Sequence, residues 1–291
     1  MNAESRDYNS ISPSAEYLVR LKGFTRIPFA KAAAAILVNP LEQAGTHSFS
    51  EEDRKAFYKR LLHFENRYWT VERLLRQTNP QHILEISSGY SFRGLDWCSR
   101  QAVHFIDTDI PELVATKSKL IPQLEAGQPA PMKGQYELLP LNVIDTGLFA
   151  AIVNRFGEGP VSIVNEGLLM YLGEEEKQIL CTTIRQLLAQ RGGYWITGDI
   201  YVRTGQERMD ARNEQWGTFR KQHKIDENMF ESYEAARQLF DACGLEVVDR
   251  LALAIEDLSC LDFPGIRRET VLQKLESAPP TRESWCLRVK Q

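Results

Sequence analysis

No apolar run in this chain can cross a bilayer: the longest, Ala32 to Val38, is seven residues and follows Lys31, where a spanning helix needs ~20. No basic, apolar leader opens it either. The first ten residues, MNAESRDYNS, are polar and partly acidic, so a cytoplasmic location without a membrane partner is expected. Cysteine is sparse and scattered. Cys98, Cys181, Cys243, Cys260 and Cys286 form no CxxC or Cys/His spacing, which points to reduced thiols and no metal site. An excess of positive charge is missing as well: 35 Lys and Arg face 39 Asp and Glu, a net charge of −4, so no general field draws a phosphate backbone and no nucleic-acid partner is expected. Only five histidines occur, and no nucleophile–base pair stands out among them.

What is present is ordinary globular material. At 291 residues with 43% hydrophobic and 25% charged side chains, the chain has enough for a sizeable core in one or two domains. No internal repeat or low-complexity tract divides it, and one change of period does, near Asn79-Pro80. Ahead of it, Ser50-Glu51-Glu52-Asp53 resembles an N-cap with an acidic residue three on. Phe57, Leu61, Phe64, Tyr68, Val71 and Leu75 then recur at helical spacing, predicting one long amphipathic helix. Shorter helices are expected from Ser14 and over Lys31 to Leu37. Residues 1–78 are thus a helical extension or lid, and 79–291 a separate core.

After Pro80, short apolar runs alternate with helical stretches, as in a parallel sheet covered on both faces. The runs are His82–Ser87, Val103–Thr108, Glu137–Asn142, Val161–Asn165, Gly193–Thr197, Leu245–Leu253 and Trp285–Val289. The expected fold is α/β: a Rossmann-like, seven-stranded, mostly parallel sheet. Gly192-Gly193 should end the helix before the fifth strand, and Ser232 should cap the helix that Gly244 closes.

In such sheets ligands sit outside the carboxyl ends of the strands, so the loops there hold the candidate site. The first is Ser87-Ser88-Gly89-Tyr90-Ser91-Phe92-Arg93-Gly94. It is small enough for close approach, which suits a cofactor without phosphates since it lacks the G-x-G-x-x-G of a pyrophosphate cradle; a tight strand-to-helix turn is the less favoured alternative. The second strand ends in Asp107-Thr108-Asp109, where an acid can accept from both ribose hydroxyls of a nucleoside cofactor, NAD or S-adenosylmethionine, or serve as a solvated cap. Asn142, with Asp145 close behind, offers an oxygen to an adenine amino group or forms a turn. The fourth strand runs into Asn165-Glu166-Gly167-Leu168-Leu169-Met170-Tyr171-Leu172. A carboxylate at a central strand end within an apolar segment points to a ligand.

Two of these segments resemble the leucine carboxyl methyltransferase family of class I S-adenosylmethionine-dependent methyltransferases. Asp107-Thr108-Asp109-Ile110-Pro111-Glu112-Leu113, with Lys117 downstream, is similar to the family's acidic-x-Asp-x-Pro segment, and Glu166-Gly167 to Tyr171-Leu172 is similar to its Glu-Gly-(apolar)-Tyr-Leu block. The resemblance covers roughly residues 60 to 255. It implies S-adenosylmethionine as cofactor, with Asp109 and nearby Asp107 on the ribose, Glu166 beside the methionine portion, and Arg67 paired with the cofactor carboxylate. Ser87, Gly89 and Asn142 join them as cofactor-binding residues. Tyr171 is the catalytic candidate, on the substrate wall. Arg60, His63 and Arg67 share one polar face of the long helix, which a solvated basic stripe would also explain. Where the family has Gly-x-Gly, this chain has Ser87-Ser88-Gly89, and its usual acid after the third strand is Asn142.

The implied reaction is methyl transfer to a carboxylate of a small molecule or peptide. A carboxylate is already ionised at neutral pH, so no general base is required. Tyr201 to Phe230, with Arg203, Arg208, Arg212 and Trp216, would complete the substrate wall, or form a solvated helix face. The alternatives are a catalytically silent methyltransferase-like binding module, a methyltransferase acting on a phenol or amine, and a nicotinamide oxidoreductase, against which the missing glycine fingerprint counts.

Overall fold

A computed structural model of the chain describes residues 12–37, 50–203, 218, 220–263, 265–277 and 279–291. Its centre is a seven-stranded sheet in the order β3-β2-β1-β4-β5-β7-β6. The strands are β1 (His82–Ile86), β2 (His104–Asp109), β3 (Gln135–Pro140), β4 (Val161–Asn165), β5 (Gly193–Tyr201), β6 (Leu245–Leu251) and β7 (Arg282–Val289). β1 to β5 are mutually parallel, and β7 runs antiparallel to both β5 and β6. The Rossmann-like α/β expectation is therefore met. Strand order reverses between β1 and β4, and the two chains leaving those strands part to open a crevice there.

Ten helices punctuate the strands among the described residues: α1 (Ser12–Lys22), α2 (Ala30–Leu37), α3 (Glu51–Gln77), α4 (Arg93–Arg100), α5 (Pro111–Ala126), α6 (Thr146–Val153), α7 (Glu174–Arg191), α8 (Ile225–Asn228), α9 (Tyr233–Ala242) and α10 (Arg268–Ser277). None is long and apolar enough to cross a membrane. The long helix α3 starts at Ser50, whose side chain accepts from the Asp53 amide, with three acids in its first turn facing the positive end of the helix dipole. Twenty-seven residues make it roughly 40 Å long. Its last turns, through Val71, Leu74 and Leu75, pack with Ile83, Phe105, Val164 and Ile196 against one face of the sheet. The opposite face is covered by α6, α7 and α9, where Phe149, Leu180, Ile184, Trp195 and Phe240 form the largest core cluster. The Ser232 side chain caps α9 by accepting from the Ala235 amide.

Strand bounds depart from the apolar pattern where polar residues are buried. β7 begins three residues earlier than Trp285, because Arg282, Glu283 and Ser284 lie inside. Arg282 donates to the Gly198 carbonyl at 3.2 Å, to Ser284 Oγ at 2.9 Å and to Thr70 Oγ1 at 3.1 Å. β5 continues past Thr197 through a bulge to Tyr201. β3 is an edge strand and sits two residues earlier than its apolar run, its last pair being Asp109 with Pro140. β6 stops at Leu251.

Candidate functional site

The carboxyl ends of β1, β2 and β4 open into a cavity of about 480 Å³, closed on its other side by α1, α3 and the start of α8. That volume is typical of small-molecule sites. The loop after β1 enters it through Ser87 and Gly89, both at φ +51. Ser87 thereby occupies a backbone region that favours glycine. The turn brings the Gly89 amide to Asp109 Oδ2 at 2.6 Å, while the Ile110 amide donates to Asp109 Oδ1 at 2.8 Å. Each oxygen keeps acceptor capacity on the cavity side. Burial pushes the Asp109 carboxyl up, against the pull of those two amides.

Asp107 stands apart. It lies outside the cavity wall, fully buried, with Oδ2 accepting from Lys117 Nζ at 2.8 Å and from the Tyr136 hydroxyl at 2.7 Å. Placing it on the ribose is corrected accordingly: it sits two residues deeper on β2, beyond the cavity's reach. Lys117 also donates to Ser88 Oγ at 2.9 Å, so this pair braces the β1 loop from beneath. Asn142 lines the cavity, and its Oδ1 accepts from the Ile144 amide at 3.2 Å. Asp145 caps α6 by accepting from the Leu148 amide and is not part of the wall.

Around Glu166 three cations from three elements converge. Lys22 Nζ of α1 lies 2.6 Å from Oε1, Arg67 Nε of α3 3.2 Å from the same oxygen, and Arg93 Nη2 of α4 3.1 Å from Oε2. Burial alone would raise the Glu166 carboxyl; Lys22, Arg67 and Arg93 overcome it and hold the group well below the usual carboxylate range. Arg93 reaches on to Glu85 Oε1 at 2.5 Å and Glu72 Oε2 at 3.2 Å. Among the described residues Glu85 is ion-paired with Arg93 alone, with Lys117 acting on it from farther away. Burial, less Arg93's pull and with Asp107 repelling, raises it to about 7.

Two backbone features place Glu166. Gly198 on β5 leaves room for α3: a Cβ there would lie 2.8 Å from Val71 Cγ2 and 3.3 Å from Arg67 Cγ. Next along β5, Asp199 accepts from the amides of Gly167 at 2.6 Å, Leu168 at 2.6 Å and Leu169 at 3.1 Å, and from Asn165 Nδ2 at 2.7 Å. One carboxylate thus sets the whole turn that follows β4. Tyr171, at the end of that turn, is nine-tenths buried, lines the cavity and meets His223 edge-on at 6.1 Å.

Arg67 Nη1 also donates to the Tyr201 hydroxyl at 3.2 Å, which bonds His63 Nε2 at 2.9 Å. Burial, with Arg282, Arg67 and Lys59 close by, depresses the His63 imidazole to about 3, so it is neutral at physiological pH. The basic stripe of α3 is therefore no solvated face at His63 and Arg67: both line the cavity.

The structure brings Arg67, Ser87, Gly89, Asp109, Asn142, Glu166 and Tyr171 to one cavity and leaves Asp107 out. Lys22, Glu85 and Asp199 were not singled out from the sequence, and Tyr201, read there only as the start of the substrate wall, lines the cavity. Glu85 had a signal, an acid in a buried strand two residues before a small-residue loop; Lys22, at the end of a short helix, had none. Of the predicted substrate wall, Arg203 donates to the carbonyls of Asp226 and Glu227, while Arg208, Arg212 and Trp216 lie outside the described residues. No cluster of His, Cys, Asp and Glu among the described residues could hold a metal ion. Cys98 and Cys181 are buried core thiols.

No protein-family model matches the chain, and no curated protein matches it in sequence. Solved structures do match it over nearly all its length. A DUF574 family protein from Streptomyces avermitilis superposes with a TM-score of 0.52 at 17% identity, covering 97% of this chain and 100% of that one. A candidate methyltransferase from Thermobifida fusca gives 0.50 at 16%, covering 96% and 94%. The fold is the Rossmann-like methyltransferase fold. Within it, the cavity lies at the strand-order reversal, with Gly89 on one lip and Glu166 on the other.

Proposed function

We propose that this chain is an S-adenosylmethionine-dependent O-methyltransferase that esterifies a carboxylate of a small molecule or peptide, as its resemblance to the leucine carboxyl methyltransferases suggests. The observation that carries the reading is the pairing, in one cavity at the strand-order reversal, of a strand-end acid with two amide partners and a buried carboxylate ringed by cations. Asp109 offers two oxygens to ribose hydroxyls, and the open backbone at Gly89 allows close approach. Asn142 lies where an adenine edge would rest. Lys22 and Arg67 can take a carboxylate and Glu166 an ammonium, the two ends of an amino-acid moiety.

When bound, the cofactor supplies an electrophilic sulfonium methyl. The residues here bind, orient and exclude water, and methyl transfer to a carboxylate asks for little else. His63, neutral and bonded to Tyr201, fits a site that moves no proton. Tyr171 bounds the acceptor side.

Calorimetric titration with S-adenosylmethionine and S-adenosylhomocysteine tests the cofactor. Micromolar binding by the wild type, weakened at least about tenfold, or ~1.4 kcal/mol, by Asp109→Ala, supports it. No binding by the folded wild type refutes it. Alkali-labile incorporation of labelled methyl into carboxylic acids separates ester formation from methylation of phenols or amines.

A further inference from the structure

Along α3 the cavity wall is a single stripe, Ala56, Lys59, Arg60, His63, Phe64 and Arg67, and its charges fall into two groups. At the inner end Arg67 is shared between Glu166 and Tyr201. Seven residues towards the helix start, roughly 10 Å along its axis, Lys59 and Arg60 have no carboxylate among the described residues. Their own helix cannot supply one. Three and four residues away from Arg60 stand Ala56, Phe57, His63 and Phe64, and from Lys59 stand Lys55, Ala56, Leu62 and His63. Arg60 Nε is buried without a hydrogen-bond partner, a state that buried N–H groups rarely tolerate. Arg220, the third cation of this outer part, is already paired with Asp226. Beside these charges and His63, the cavity wall also carries the apolar side chains of Phe64, Met170, Ile225 and Met229.

We propose that Arg60, assisted by Lys59, binds an anionic group of the methyl acceptor that is not the group methylated. The acceptor is then a molecule with an apolar part and a carboxylate or similar anion besides the group methylated. This rests on the methyltransferase reading for the word acceptor; the anion site itself stands on Arg60 and Lys59.

Decanoate and its uncharged counterpart decanol are the probes, titrated into full-length protein saturated with S-adenosylhomocysteine. The wild type should bind decanoate at least tenfold more tightly than decanol. Arg60→Gln should bring decanoate down to the level of decanol without changing decanol or S-adenosylhomocysteine binding. Lys59→Gln should cost about threefold, and Arg60→Lys should keep most of the preference. Decanoate binding to the wild type should also weaken with added salt, a readout that needs no substitution. Equal binding of the two probes, decanoate affinity untouched by Arg60→Gln, or affinity indifferent to salt each overturns the proposal. Failure of S-adenosylhomocysteine to bind refutes the methyltransferase reading instead, and the two probes, run without it, still decide the role of Arg60.

Discussion

The inner and outer halves of the cavity are built from the same stretch of α3 and differ in how charge is answered. Inside, every cation has a carboxylate: Lys22, Arg67 and Arg93 meet Glu166, and Arg93 also meets Glu85 and Glu72. Outside, Lys59 and Arg60 face the space itself. The inner charges are interlocked, so removing one member harms all the others, whereas the outer cations have no carboxylate among the described residues. Preorganised charge and unanswered charge lie two turns of one helix apart, the first suited to holding a reactive group still and the second to selecting a partner.

The sharpest way to break the inner half is Glu166→Gln. Three buried cations would lose their common anion, and a broken buried ion pair ordinarily costs ~3–5 kcal/mol. Denaturant unfolding should show a loss of that order, with S-adenosylhomocysteine affinity falling in the same variant. A loss within the range of a surface substitution would mean the cations are not held by Glu166.

A smaller effect comes from pH, because the halves meet at His63. Its imidazole, depressed to about 3 from 6.5, is protonated in the unfolded chain before the folded one, so its contribution to stability is present above 6.5 and drains away as pH falls towards 3. Glu85, raised to about 7 from 4.5, acts the other way: the folded protein takes the proton first, and stability gained at low pH is lost as pH rises through 7. Between 6.5 and 4.5 the two oppose each other. His63→Asn removes one side, so on acidification from pH 7 to pH 5 the variant should gain stability over wild type, at a limiting slope of ~1.4 kcal/mol per pH unit. Parallel urea curves at the two pH values would rule out the depressed imidazole.

The smallest effect belongs to the loop on the inner lip. Ser87 holds φ +51, and glycine should adopt it without the side-chain clash, raising stability by up to about 1 kcal/mol. A melting temperature lowered by Ser87→Gly would show that the Ser87 side chain, not its backbone, matters there.

Most of the sheet was legible because its parallel strands are apolar on both faces, and the alternation with amphipathic helices leaves few architectures. Asp109 and Glu166 were legible because they end buried strands, where a charge needs a reason. Asp107 misled for that same reason: it too ends a strand in sequence, and only the fold shows Lys117 and Tyr136 closing over it. Lys22 and Asp199 were illegible, since each owes its role to residues far along the chain or to a bulge no local pattern announces. β7 was read short because Arg282, Glu283 and Ser284 are polar, and their partners are Gly198 and Thr70 for Arg282, Thr70 for Ser284 and Trp285 for Glu283.

The Lys22–Glu166 pair spans 144 positions, and that separation has a consequence in time. On a ribosome adding ~5–20 residues per second, Lys22 emerges roughly 7 to 30 seconds before its carboxylate. Arg67 and Arg93 also precede Glu166, but Arg93 has Glu72 and Glu85 made before it, so it is Lys22 and Arg67 that wait for β4 to bring their shared carboxylate. The charge centre is therefore completed only once β4 has been made, although α1 and α3, which supply Lys22 and Arg67, are among the first parts synthesised.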